Sequence, residues 1–195
     1  MNPTLRSLHG IAELLLAGPQ YRASGTVRLK VTGGGFGTTR QPELRLDGDR
    51  LVAGERVVAL NGRTYADAAS AVGIEAGAPD GLYADGSAAE PGETIVLEPE
   101  ITARALNAFA LGQRALPAFA PGCEPVLWPE HFDLGIVLGE VNYGISPGDS
   151  YSPEPYAYVG PHRPREGAFW NAPFGAARPF ASAEEIVAFF REAPL

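Results

Sequence analysis

A chain of 195 residues, 45% of them hydrophobic, can bury the core of one domain and is too short for two large ones. Its net charge of -8, with no run of Lys and Arg in the sequence, argues against nucleic acid and against an anionic membrane surface as partners. Cys123 is alone, and no apolar run approaches the roughly 20 residues of a membrane span, so an intrachain disulfide and a spanning helix are both excluded.

The run at 11–17 is broken by Glu13 and lacks a basic start and a cleavage site, so it does not read as a signal peptide. The expected compartment is the cytoplasm. Gly 24 and Pro 18 point to many turns and few long helices.

In chain order, residues 4–17 place Leu5, Leu8, Ile11, Ala12 and Leu15 on one helical face, and Gly18-Pro19 should stop that helix. Val27, Leu29 and Val31 alternate with Arg28 and Lys30 as in a half-buried strand. The glycine-rich stretch 32–42 reads as a loop. It lacks the helix start a phosphate site needs, so its glycines are expected to allow a bend or a close backbone approach. Asp47-Gly48 and Gly54 mark hairpin turns leading to a strand at 57–60.

Thr64 and Asp67 form a capping box for a short helix that Gly73 ends. Residues 74–97 read as a long loop ending in a short strand at 94–97. Pro99 opens a helix that should stop at Pro117. Twelve of the eighteen aromatic residues lie from Trp128 onward. Strands are expected at 131–142, 155–160 and 168–172, then a helix capped by Ser182 with Glu185. Grouped strands with short turns predict an α+β fold. The expected architecture is a mostly antiparallel curved sheet with helices packed on one side, in a single domain over 1–195. A subdivision into 1–122 and an aromatic-rich 123–195 is compatible with the composition.

Ser146 sits in a G-x-S-x-G spacing, but Pro147 has no N–H for an oxyanion hole and no helix follows, so the motif reads as a turn. The strand predicted at 131–142 puts His131 and Asp133 on one face, above Gly135 and Gly139, as a cleft could be built. In a catalytic reading His131 is the general acid or base and Asp133 its orienting partner. In a metal reading His131, Asp133 and His162 form a two-His-one-carboxylate site for a divalent ion. In the structural reading, which outweighs the metal one, His131 and Asp133 serve only the fold.

Tyr143, Tyr156, Tyr158, His162 and Asn171 are the expected ligand contacts, because aromatic and polar groups in Gly- and Pro-rich loops serve binding. Function therefore divides into a small-molecule-binding protein or enzyme, and a non-catalytic interaction protein or homodimer.

Overall fold

The computed structural model describes residues 2–79, 81–83 and 86–194. It is an α+β fold, an open antiparallel sheet of ten strands with helices packed on one face. Strands β1 (Leu29–Thr32), β2 (Gly35–Thr38), β3 (Arg45–Asp47), β4 (Arg50–Ala53) and β5 (Arg56–Ala59) form one meander. A second comprises β6 (Val126–Trp128), β7 (Asp133–Leu138), β8 (Val141–Ser146), β9 (Tyr156–Pro161) and β10 (Ala176–Pro179). The two join where β1 pairs with β6, Leu29 opposite Leu127.

Helix α1 runs unbroken through Pro3–Gly10, Ile11–Ala17 and Gly18–Ser24, so Gly18-Pro19 does not stop it. The middle segment is π-helical, with the Gly18 N–H donating to the Glu13 carbonyl. The next donor in that series would be Pro19, which has none. The Gly77 N–H serves the Leu14 carbonyl instead, at 3.0 Å. Gly18 is required there, since a Cβ would overlap the Gly77 carbonyl. The helix ends at Gly25, in the left-handed conformation.

The expected glycine loop contains strand β2. Gly35 and Gly37 bring its backbone against β3, where Cβ atoms would lie 2.5 and 2.7 Å from the Leu46 and Leu44 carbonyls. Two-residue turns at Gly48 and Gly54 make the expected hairpins. Helix α2 (Tyr65–Val72) has the Thr64 hydroxyl accepting from the Asp67 N–H at 3.0 Å, and Gly73 at φ 78°. Residues 94–97 form no strand; one bridge joins Thr94 to Thr64, and Ile95 and Leu97 are buried. Helix α3 (Pro99–Phe119) carries Pro117 in its last turn. Helix α4 (Ala183–Arg191) has the Ser182 hydroxyl accepting from the Glu185 N–H.

The strand expected at 131–142 is a hairpin. Gly139, at φ 62°, turns the chain between β7 and β8, and Leu138 pairs with Val141. The strand expected at 168–172 lies later, at β10. Leu134, Ile136, Tyr143, Ile145, Ala157 and Val159 line the inner face of β7–β9 and are buried under α3 and α4. Gly112 of α3 admits Ile145, whose side chain would lie 2.7 Å from a Cβ there. Among the described residues no helix is long and apolar enough to cross a membrane.

Candidate functional site

Directly opposed residues on antiparallel strands share a face. With Leu134, Tyr143 and Val159 inward, the outer face of β7–β9 carries Asp133, Gly135, Asn142, Gly144, Ser146, Tyr156, Tyr158 and Gly160. This face floors a cleft of about 690 Å³. Glu130 and His131 of the turn at 129–132, the loop at 149–151, His162 and Phe174 form its walls, and His9 and Gly86 also line it.

Tyr158 lies over glycine. A Cβ at Gly144 would stand 2.5 Å from its Cζ and hydroxyl, and one at Gly135 3.3 Å from the hydroxyl. The two glycines face each other across β7 and β8, so the ring lies over β8 and its hydroxyl reaches β7, where it donates to Asp133 Oδ2. Gly135 therefore makes room for a tyrosine rather than for open space.

The Asp133 carboxyl is buried, although the residue as a whole is only partly so. Its Oδ1 has no hydrogen-bond partner. Burial raises the carboxyl above the ordinary carboxylate range, against the opposing pull of the Tyr158 hydroxyl and the proximity of His131. Tyr158 is pushed well above an ordinary phenol by burial first and then by the Asp133 charge, so it remains a donor.

Asp149 behaves differently, because every oxygen is satisfied. Its Oδ2 accepts from Tyr156 at 2.6 Å and from the Ser146 hydroxyl at 3.2 Å. Its Oδ1 accepts from the Tyr151 and Ser152 N–H groups at 2.8 and 3.2 Å. It organises the loop and holds Tyr151 at the wall. Burial and the bond to Asp149 raise the Tyr156 hydroxyl as well. Phe174 touches three tyrosines, with ring centres 5.0 Å from Tyr151, 6.1 Å from Tyr156 and 6.2 Å from Tyr158. Tyr151 and Phe174 are 46% and 38% exposed, so this aromatic wall faces solvent rather than core.

The expected His131–Asp133 dyad does not form. No hydrogen bond joins the two, and the exposed His131 has Glu130 as its nearest acid, at 4.0 Å. The cause is Phe132, whose φ of 52° takes the chain out of the extended conformation between them. Two residues share a face at i and i+2 only while the backbone stays extended. A left-handed non-glycine residue costs about 1–2 kcal/mol. Packing holds it there: Phe132 lies 5.2 Å from Phe109, 5.6 Å from Phe36 and stacks at 5.4 Å on His9. The His9 Nε2–H donates to the Pro129 carbonyl at 2.6 Å, fixing the same turn from below. Burial lowers the His9 pKa, with nearby Glu13 opposing it.

Among the expected ligand contacts, Tyr156, Tyr158 and His162 line the cleft with His131 and Asp133. His162 Nε2–H donates to Asn142 Oδ1 at 3.2 Å. Tyr143 is not brought there; it points inward and packs on Phe119 and Phe190 at 4.7 and 5.4 Å. Asn171 is also elsewhere, with its amide spent on both backbone groups of Ala177 at 2.9 and 3.1 Å. Among the described residues no three His, Cys, Asp or Glu side chains gather to hold a metal ion, so His131, Asp133 and His162 do not make the metal triad.

Asn142, Ser146, Asp149, Tyr151 and Phe174 complete the cleft. The parity of β8 gives the first two once a turn is placed at Gly139. A second cavity, of about 410 Å³, gathers Arg28 and Lys30 at the start of β1 with Arg40, which follows β2. Comparison with family models, curated proteins and solved structures finds no match to this chain.

Proposed function

We propose that the protein binds a small organic molecule in the cleft on the outer face of β7–β9. The observation that carries this reading is Asp133, a buried carboxyl on the cleft floor with one oxygen held by Tyr158 and the other unpartnered. Leaving a buried polar group unpaired costs about 1–3 kcal/mol, so the open oxygen calls for a donor, which a bound molecule can supply. The exposed aromatic wall and the volume of the cleft suit a ligand of that kind.

Asp133, His131 and His162 are among the lining groups that could exchange a proton with a bound molecule. An enzymatic role would centre on Asp133 and Tyr158 rather than on a histidine–aspartate dyad. The continuous sheet and its shared core support reading the chain as one domain.

A melting-temperature screen against a chemically diverse fragment set tests the reading, run on wild type, Phe174→Ala and Asp133→Asn. Fragments that stabilise wild type and lose their effect in both variants support it. Fragments that stabilise all three proteins equally contradict it.

A further inference from the structure

We propose that the ligand of this cleft is an organic cation, an alkylammonium whose N–H donates to Asp133 Oδ1. This deepens the small-molecule reading above and rests on it.

Charge comes first. Three acids line the cleft, Glu130, Asp133 and Asp149, and among the described residues no Lys or Arg does. An anion would enter against that field, and a cation along it. The cations Arg28, Lys30 and Arg40 are collected around the separate cavity.

Hydrogen-bond capacity comes second. Asp149 has no acceptor left to offer, since four donors already use its oxygens. Asp133 has one. Its open atom is an oxygen of an acidic group, so the complementary ligand atom is a donor, and a charged donor is the stronger partner for a carboxylate.

Third is the wall. Tyr151, Tyr156, Tyr158 and Phe174 form one connected aromatic group beside the carboxyl. Aromatic faces attract alkylammonium groups, and the attraction grows when water is excluded. The carboxyl would take the N–H, and the aromatic group would flank the substituted carbon.

The test compares two near-isosteric probes, phenethylamine and phenethyl alcohol. Each is titrated into isotope-labelled protein at pH 8 and followed by backbone amide shifts, on wild type, Asp133→Asn and Phe174→Ala. The expected result is an amine at least tenfold tighter than the alcohol on wild type. Shifts should centre on Gly135, Gly144 and Gly160, and the preference should fall to within about threefold in Asp133→Asn. Phe174→Ala should weaken the amine and narrow its preference over the alcohol, by less than Asp133→Asn does. Equal affinity for the two probes in the cleft, or an amine preference that survives Asp133→Asn, overturns the proposal. So does an amine that leaves the β7–β9 amides unmoved. In each of these cases the fragment screen decides separately whether the cleft binds neutral or anionic molecules, so the broader reading can survive this one.

Discussion

Tyr158 reaches Asp133 by lying across Gly144 and Gly135, and the cleft floor depends on that crossing. Tyr158 is opposite Gly144 on β8, which is opposite Gly135 on β7, two residues on from Asp133. A side chain at Gly144 would stand where the ring lies, and one at Gly135 would press on its hydroxyl.

Gly144→Ala should therefore displace Tyr158 and cost about 1–3 kcal/mol of stability, as overpacking against a fixed ring does. Gly135→Ala should cost less, because its Cβ would meet only the hydroxyl and the Tyr143 carbonyl, at 3.3 and 3.1 Å. Urea denaturation of the two variants measures the order; equal costs would contradict the crossing.

Asp133→Asn should stabilise the ligand-free protein at neutral pH. Burial raises the carboxyl, so the folded state binds its proton more tightly than the unfolded chain. Stability from this group is then present at low pH and declines as pH rises from the ordinary value of 3.8 through the raised one. Removing the charge removes that decline. Each kcal/mol gained should raise the melting temperature by about 2–4 °C for a chain of this size. Melting curves of wild type and variant between pH 4 and pH 8 should diverge as pH rises; parallel curves would place the carboxyl in water.

His9 gives the opposite slope. Burial lowers its pKa below 6.5, so the folded state prefers the neutral ring. Its contribution is present above pH 6.5 and is lost as pH falls through the lowered value. His9→Gln should flatten the stability profile just below pH 6.5, read in an Asp133→Asn background so that the raised carboxyl does not titrate in the same window. An unchanged slope there would assign it to another group.

His131→Ala should change stability by no more than about 0.5 kcal/mol, as exposed substitutions do. Phe132→Ala should cost about 3–5 kcal/mol, because it empties a buried aromatic cluster. Denaturation of the pair separates the residue that supports the turn from the one the turn displays.

Local signals carried the parts of the fold that were legible from sequence. Asp47-Gly48, the Thr64 box with Gly73, and the Ser182 box each hold their geometry within a few neighbouring residues. Where distant partners decide, the pattern misled. Pro19 stays inside α1 because the Gly77 N–H, from another segment, serves the Leu14 carbonyl. β2 is a strand because its glycines fit against β3.

The cleft was half legible for the same reason. Asp133 and the tyrosines of β9 follow from strand parity. His131 does not, since Phe132 leaves the extended conformation to reach a cluster built by Phe36, Phe109 and His9. Tyr143 carried the same composition signal as Tyr158, and only the hairpin at Gly139 decides which of them faces the core.

Amide-shift mapping of the labelled protein against the fragments that stabilise it decides whether the Asp133 floor is a ligand site. The largest shifts are expected at Asp133, Gly135, Gly144, Tyr158 and Gly160, with little change at Arg28, Lys30 and Arg40. Shifts centred on those three cations, with β7–β9 unmoved, would contradict that assignment.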